Sequence, residues 1–512
     1  MNDTPKPDER VGIALETTVF ICGAVVMIYE INGSRILAPF IGTSTYIWTS
    51  LIGVMLASLS LGYWYGGKVA DKRPRVSILA SVVFLAGGLV SVTILTKEIV
   101  LGAVVGMNVG LEVKALLSSL FLFAPASILL GFVLPYAVKL RLSSLADSGK
   151  TVGRLYAWST IGSILGTFAA GFFLIPFVGS TRTLYIIAVA LFVTSLFLAP
   201  FALDRVKITA ITLFLTGVAF NETLAVLQWR FDSFRAIDTE YARLSLFHTT
   251  DPRTGKPIQA LTNDPYFTQS AMFLESDELV FDYNRFFHLV RHFNPRFKHS
   301  LMIGGAGYSF PRDYLHVYPE ATIDVVEIDP MMTDIAREHF RLSYDPRLNI
   351  FHEDARVFIN RTPDGQYDAI MMDAFGTLFS IPHHLTTLEA VRHLHRLLKQ
   401  DGVLMINTGA ALAGPGSRFL QAEINTLKLV FKDVRVFKVK REYGDEDLQN
   451  VMVVATRSAT ENTLNADPQV AAILSHEYAM PPSEIAPLTD DLAPVEFYNS
   501  VALNTHSRTR AQ

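Results

Sequence analysis

The first 229 residues are dominated by apolar stretches that are long enough to cross a lipid bilayer. A helix needs about 20 apolar residues to span the hydrocarbon core. The stretches that meet or approach this length are 11–35, 36–67, 76–96, 115–138, 155–181, 183–203 and 207–229. The first contains Glu30 and Arg35, and the last is interrupted by Glu222. These patterns predict a polytopic α-helical membrane domain of about seven helices, with 99–111 as a short interfacial or re-entrant segment.

Composition agrees with a chain that is partly embedded in lipid, because 50% of the residues are hydrophobic and only 18% are charged. The formal net charge is −4 and no basic stripe is present, so the sequence gives no electrostatic basis for binding nucleic acid. A single cysteine, Cys22, excludes an intramolecular disulfide and a Cys-rich zinc site. The histidines at 383, 384, 393 and 395 do not have the spacing of a compact metal site, and we predict no metal.

From residue 230 onward, short strands alternate with helices. The segment Asp251–Pro257 contains Pro, Gly and charged residues, and it predicts a hairpin turn between strands near 241–248 and 258–263. Regular alternation of strand and helix begins at His299. The predicted organisation has three parts, which are a membrane domain at 1–229, a small β module with a linking helix at 230–298, and a Rossmann-like α/β domain at 299–512.

A glycine-rich turn follows the first strand of this alternation. Gly304, Gly305 and Gly307 come directly after the strand at 300–303, and such residues let the backbone turn tightly beside a bound cofactor. Glu327 ends the second strand, about twenty residues further on, where an acidic side chain can accept hydrogen bonds from both ribose hydroxyls. This arrangement predicts a nucleoside-cofactor site.

Two further acids, Asp354 and Asp373, stand where later strands end. Ligands of open parallel sheets bind beyond the carboxyl ends of the strands, so both side chains are expected to face one crevice. Asp354, which precedes Ala355, is placed to bond an adenine amino group, although it can also serve as a helix cap. Asp373 is a candidate general base towards a nucleophilic amine.

These residues resemble the spermidine synthases, or polyamine aminopropyltransferases, and specifically the branch of that family that is fused to a major-facilitator-like membrane domain. The resemblance covers roughly 235–500 and implies a class I methyltransferase-like fold. It implies that Gln269 contacts the cofactor and that Tyr283 and Asp373 are catalytic. The other residues that it assigns to the cofactor are Gly304, Gly305, Gly307, Glu327, Asp329, Asp354 and Ala355.

The chain departs from the family pattern where that pattern holds charged amines. Gly307 stands in place of an Asp in the glycine loop, and Gly376 stands in place of the second Asp of the catalytic loop. Asn284 replaces a His, and Ala242 replaces a Gln. The resemblance implies aminopropyl transfer from decarboxylated S-adenosylmethionine to a small amine, and it suggests a homodimer. Two alternatives stay open. One is methyl or aminocarboxypropyl transfer from S-adenosylmethionine, and the other is a transporter-like or sensory membrane protein whose soluble domain binds a nucleoside without turnover.

The loops between the membrane helices bear on the side of the membrane on which this domain lies. Their basic residues are Lys68, Lys72, Arg73, Arg75, Lys139, Arg141, Lys150, Arg154, Arg205 and Lys207. The positive-inside tendency places these loops and the N-terminus in the cytoplasm, as in a multi-pass protein of the inner membrane. Seven complete crossings would deliver residues 230–512 to the outer side, whereas a last helix along the interface would keep them inside. We expect a cytoplasmic catalytic domain, because adenosylmethionine-type cofactors are made in the cytosol.

Overall fold

The structure is a computed structural model that describes residues 9–142, 148–199, 204–263, 268–374, 382–458, 467–500 and 502. The chain divides into two compact units, residues 1–244 and residues 245–512.

Unit 1 is a bundle of long apolar helices. The helices are α1 (Glu9–Ile41), α2 (Thr45–Lys72), α3 (Val76–Val105), α4 (Leu111–Leu122), α5 (Ala124–Arg141), α6 (Ser148–Ala169), α7 (Ser180–Leu198) and α8 (Arg205–Asp232). A π-helical segment, Ala170–Val178, continues α6 to the start of α7. Seven helices in the described part of the chain are long and apolar enough to cross a membrane. This confirms the predicted polytopic helical domain.

The helix boundaries differ from the predicted ones in two places. The first helix continues to Ile41 and ends before Gly42, whose φ of 83° is incompatible with a right-handed helix, so the predicted boundary at 35 was wrong. The predicted span at 115–138 is divided at Phe123, because Pro125 lies in the first turn of the next helix, which begins at Ala124. Most of the predicted interfacial segment, 99–105, forms the end of α3.

A small four-stranded sheet follows the helices. Its strands are, in order, β1 (Arg235–Asp238), β2 (Arg243–Thr250), β3 (Pro257–Thr262) and β4 (Ser270–Phe273), and β3 is antiparallel to β2 and to β4. The predicted turn between β2 and β3 is present, with the Asp251 side chain accepting hydrogen bonds from the Thr254 N–H and hydroxyl. Gly255 supplies a φ of 69° in this turn. Two short helices follow, α9 (Asp282–Phe286) and α10 (Val290–Phe293).

The main sheet of unit 2 has eight strands in the order β12-β10-β11-β9-β8-β5-β6-β7. The strands are β5 (His299–Ile303), β6 (Thr322–Val326), β7 (Leu348–Phe351), β8 (Tyr367–Met372), β9 (Leu398–Ala410), β10 (Asp433–Lys438), β11 (Gln449–Thr456) and β12 (Glu477–Tyr478). Strands β5 to β9 pair in parallel, and β11 is antiparallel to β9 and to β10. This mixed α/β sheet confirms the predicted Rossmann-like fold.

Helices connect the strands and cover the sheet. They are α11 (Ser309–Val317), α12 (Pro330–His339), α13 (Ala355–Arg361), α14 (Leu388–Leu397), α15 (Arg418–Lys428) and α16 (Pro468–Leu474). The strand order reverses at β5, since the chain runs outward through β6 and β7 and then returns to the other side of β5 as β8. In an open parallel sheet this reversal opens a crevice beyond the carboxyl ends of the strands.

Candidate active site

The glycine loop after β5 contains backbone conformations with positive φ, which few residue types adopt without strain. Gly304 has a φ of 92°, and a Cβ at this position would lie 2.3 Å from the carbonyl oxygen of Asp373. Side chains are therefore excluded at this point of the loop. Ala306 and Tyr308 also have positive φ values, of 43° and 53°, which are strained for residues with a Cβ. The loop thus holds a fixed shape against the end of β8.

Glu327, at the end of β6, accepts three backbone hydrogen bonds. Its Oε2 accepts from the N–H groups of Gly305 and Ala306 at 2.9 and 3.0 Å, and its Oε1 accepts from the N–H of Asp329 at 3.0 Å. Asp329 in turn caps α12 by accepting from the N–H of Met331. The structure thus joins the predicted glycine loop, the predicted ribose-binding acid and Asp329 in one hydrogen-bonded unit.

Asp373 follows β8 and lies beside β5, because its N–H donates to the carbonyl of Ile303 at 2.9 Å. The Nδ2 of Asn407, in β9, donates to Asp373 Oδ1 at 2.8 Å, and the phenol of Tyr283, in α9, donates to the same carboxylate. Burial raises the pKa of Asp373, and the two hydrogen bonds lower it by less. The pKa of Tyr283 is well above its usual value, because of burial first and the Asp373 charge second. Tyr283 is therefore a neutral donor beside a carboxylate with raised proton affinity.

A salt bridge from the β2–β3 turn holds the segment that carries Tyr283. Arg253 forms an ion pair with Asp282, the residue before Tyr283, and also donates to the carbonyl of Val280 at 2.6 Å. The ring of Tyr283 stacks on that of Phe281, with centroids 5.7 Å apart. The small β module thereby positions one of the two donors to Asp373.

The segment Gln269-Ser270 lies against the glycine loop. The Ser270 hydroxyl accepts a hydrogen bond from the N–H of Gly307 at 2.9 Å. A Cβ at residue 307 would lie 2.8 Å from the Ser270 Cβ and 3.1 Å from the ring of Phe340. The space that a side chain at position 307 would need is therefore filled. Gln269 Oε1 is buried and has no hydrogen-bond partner among the described residues, so it is available to a ligand.

Asp354 has the contacts of a helix cap. It accepts from the N–H groups of Arg356 and Val357 at the start of α13, and its other oxygen lies 3.4 Å from His384 Nε2. Its neighbour Ala355 is the first residue of that helix. Gly376 lies outside the described residues. Sequence reasoning missed Asn407, although a polar residue that follows the apolar run Val403–Ile406 in β9 matches the pattern used for Asp354 and Asp373.

The comparisons with known proteins agree with this geometry. A family model described as the spermine/spermidine synthase domain matches residues 281–443, which include the glycine loop, Asp373 and its two donors Tyr283 and Asn407. We refer to these residues as the synthase domain, after the model to which they are similar. The synthase domain contains most of the residues that the sequence singled out, and Gln269 precedes the matched region.

Relatives match both the synthase domain and a longer part of the chain. A polyamine aminopropyltransferase of Vibrio vulnificus (strain CMCP6) is 35% identical over 162 residues, which are 31% of this chain and 52% of the relative. The chain thus spans about half the length of that relative. Polyamine aminopropyltransferase 2 of Aquifex aeolicus (strain VF5) is 23% identical over 429 residues, 78% of this chain and 80% of the relative. A match of that length extends beyond the synthase domain into the apolar half.

Among solved structures, a probable spermidine synthase from Corynebacterium glutamicum ATCC 13032 is similar to this chain at 22% identity. It covers 51% of this chain and 90% of its own, with a TM-score of 0.38.

Proposed function

We propose that the synthase domain transfers an aminopropyl group from decarboxylated S-adenosylmethionine to an amine, either putrescine or another small amine, and releases methylthioadenosine. The observation that carries this proposal is the carboxylate of Asp373, which has a raised pKa and two directed donors at the carboxyl end of β8. The names of the two relatives support the same chemistry. A homodimer stays a prediction.

The proposed reaction is an in-line displacement at the carbon beside a sulfonium. The amine nitrogen attacks this carbon with its lone pair, the carbon–sulfur bond breaks, and its electrons make the sulfur a neutral thioether. The amine must be uncharged to attack, so Asp373 takes a proton from it, and the raised pKa suits that role. Tyr283 and Asn407 orient the carboxylate and stabilise its charge. The glycine loop, Glu327 and Asp354 are assigned to the nucleoside.

A second candidate reaction is methyl or aminocarboxypropyl transfer from S-adenosylmethionine itself. The observation in its favour is the packing of Ser270 and Phe340 into the space beside Gly307. This packing leaves no room for a loop carboxylate, and losing such a contact to a charged amine weakens binding by about 1.5–3 kcal/mol. S-adenosylmethionine carries a carboxylate on the carbon that bears this amine, and a loop carboxylate would repel it, so the loss affects this donor less than decarboxylated S-adenosylmethionine.

Mass spectrometry of the nucleoside product distinguishes the two reactions. The purified full chain is incubated with S-adenosylmethionine or its decarboxylated form, with putrescine and a membrane extract as acceptors. We expect methylthioadenosine from the decarboxylated donor, its loss in Asp373→Asn, and its retention in Asp401→Asn, which changes an exposed acid at the other end of β9. S-adenosylhomocysteine formed from S-adenosylmethionine would instead establish a methyltransferase, and methylthioadenosine formed from S-adenosylmethionine would establish aminocarboxypropyl transfer. Nucleoside binding without either thioether would indicate a binding domain.

A further inference from the structure

The contacts between helices in unit 1 define the direction in which each helix runs. Gly162 of α6 packs on Phe20 of α1, where a Cβ at Gly162 would lie 2.0 Å from the Phe20 carbonyl oxygen. One turn later, Gly166 packs on Ala24 in the same way, with 2.4 Å between the corresponding atoms. Residue numbers rise together along both helices, so α1 and α6 run in the same direction.

Helices α2 and α5 form a second parallel pair. Gly131 of α5 packs on the Leu59 carbonyl of α2, and Gly66 of α2 packs on Phe132 of α5. At the ends of the same two helices, Lys139 pairs with Asp71 at 2.8 Å. Both helices therefore end on the same side of the bundle.

Helix α8 runs parallel to α3 over most of its length. Gly88 of α3 contacts Ala210 near the start of α8, Gly217 contacts Ile94 further along, and the Asn221 side chain donates to the Ile94 carbonyl at 3.2 Å. Because α8 advances with α3 across this length, it crosses the bundle from one end towards the other. An orientation along the membrane interface does not fit these contacts.

One end of the bundle holds most of the basic residues of the membrane half. Tyr136, near the end of α5, accepts a hydrogen bond from the N–H of Arg75 before α3, which places the end of α5 beside the start of α3. Arg154, near the start of α6, pairs with Glu16 of α1 at 2.9 Å. The basic residues at this end are Lys68, Lys72, Arg73, Arg75, Lys139, Arg141, Lys150, Arg154, Arg205 and Lys207. By the positive-inside tendency this end is cytoplasmic.

The segment that follows α8 is bonded to the opposite end. Asp238 Oδ2 accepts from the N–H of Ser180 at 3.0 Å, at the start of α7, and Arg243 donates to the Ser180 hydroxyl at 3.0 Å. Arg35, near the end of α1, donates to the carbonyl of Glu240. Residues 235–243 thus lie where α1 and α6 end and α7 begins, which is the end of the bundle opposite to the basic loops.

We propose that the chain leaves the membrane on the extracytoplasmic side, so that the synthase domain, which begins after this exit, acts outside the cytoplasm. This proposal takes the topology of seven complete crossings, and it rests on helix direction rather than on cofactor supply. It has a consequence for the reaction sequence that rests on the proposed function. A sulfonium nucleoside is charged and does not cross a bilayer unaided, so a transport step must deliver the donor to this side.

Single-cysteine labelling tests the topology in the full chain. The native Cys22 is buried, and it is replaced by Ala to give a cysteine-free background. One variant adds Tyr344→Cys, at a synthase-domain residue that is 93% exposed, and the matched variant adds Lys150→Cys, at an exposed residue of the basic end. Right-side-out spheroplasts are treated with a membrane-impermeant maleimide before and after permeabilisation.

We expect Tyr344→Cys to be labelled equally before and after permeabilisation, and Lys150→Cys to be labelled only afterwards. Protection of Tyr344→Cys until permeabilisation would overturn the proposal, and so would labelling of Lys150→Cys in intact spheroplasts. The readout needs no catalysis, so a failure of this topology is distinguishable from a failure of the proposed activity. The same spheroplasts, given donor and amine from outside, report whether product forms on that side.

Discussion

Two carboxylates end the strands on either side of β5, and they are held in different ways. Glu327, which follows β6, accepts three hydrogen bonds from backbone N–H groups at residues 305, 306 and 329. Asp373, which follows β8, accepts its hydrogen bonds from the side chains of Tyr283 and Asn407. The first arrangement belongs to one local strand–loop–strand unit, whereas the second combines three elements that are distant in sequence.

The difference indicates that the Glu327 end and the Asp373 end of the crevice have different functions. Among substitutions, only proline removes a backbone donor, and the three donors fix the position of the Glu327 carboxylate, which suits a group that accepts hydrogen bonds from hydroxyls. Side-chain donors can be removed one at a time, and they only partly offset the burial that raises the pKa of Asp373. The nucleoside end is thus expected to control binding, and the Asp373 end to control the rate of transfer.

The largest expected effect is on the Asp373 end. Asp373→Asn removes the proton acceptor, and we expect kcat to fall about 100- to 10,000-fold, the usual contribution of general base catalysis. The KM for the donor should change little, because Asp373 is not assigned to the nucleoside. Steady-state kinetics with Asp401→Asn as control measure this split, and a loss below tenfold would remove Asp373 from the reaction.

Glu423 in α15 is a third buried carboxylate, and unlike Glu327 and Asp373 it accepts no hydrogen bond from the described residues. It is 2% exposed, and neither carboxylate oxygen has a hydrogen-bond partner among the described residues. Burial raises its pKa to about 8. The folded state therefore keeps a proton that the unfolded state loses, and stability falls as pH rises from the unfolded pKa near 4.5 to about 8.

The substitution Glu423→Met removes this linkage. We expect it to stabilise unit 2 by about 3–5 kcal/mol more at pH 9 than at pH 4. Resistance to proteolysis across a urea series, measured at both pH values on the full chain, gives the difference. An equal effect at both pH values would show that Glu423 is solvated or partnered in the folded protein.

Substitution of Gly304 tests whether the glycine loop packs directly on the backbone of Asp373. Gly304→Ala places a Cβ 2.3 Å from the Asp373 carbonyl at a φ of 92°, and we expect a loss of about 3 kcal/mol of stability together with reduced kcat. Gly365→Ala is the matched control, since Gly365 has a φ of 63° but open space around it. That variant should lose only about 1 kcal/mol. Equal losses would argue against the close contact between the loop and Asp373.

At the nucleoside end, Glu327→Gln keeps one oxygen acceptor and turns an amide group towards backbone donors. We expect donor affinity to fall about ten- to a hundredfold, from the loss of roughly 1.5–3 kcal/mol of charged hydrogen bonding. Isothermal titration with the nucleoside measures this change, and kcat at saturating donor should fall by less. If kcat fell more than donor affinity, Glu327 would act in the transfer step rather than in donor binding.

The smallest effect expected is a shift in pH dependence. Tyr283→Phe removes a donor that lowers the pKa of Asp373, so that pKa should rise further. Asp373 acts in its deprotonated form, and the acid limb of the kcat/KM profile should therefore move to higher pH, by about one unit. Activity lost at mildly acidic pH should return at high pH. An unchanged acid limb would mean that Tyr283 does not contact the catalytic carboxylate.

Some of this site could be predicted because its signal is local. Gly304, Gly305 and Glu327 lie within one strand–turn–helix–strand unit, where glycine spacing and strand ends fix their positions to one another. Asn407 and Ser270 were not assigned their roles, since their contacts depend on how β9 and β4 pack beside β8 and the glycine loop. The packing that fills the space beside Gly307 is likewise invisible in the sequence, which shows only that a carboxylate is absent there.

The sequence by itself determined the seven apolar helices, the α/β alternation and the order of the strand-end acids. Hydropathy and residue spacing encode these features directly, because burial in lipid or in a sheet core acts on each segment separately. Only the tertiary structure decided which helices run parallel, which end of the bundle holds residues 235–243, and which side chains surround Asp373. These features depend on contacts between segments far apart in the chain, and no local pattern records them.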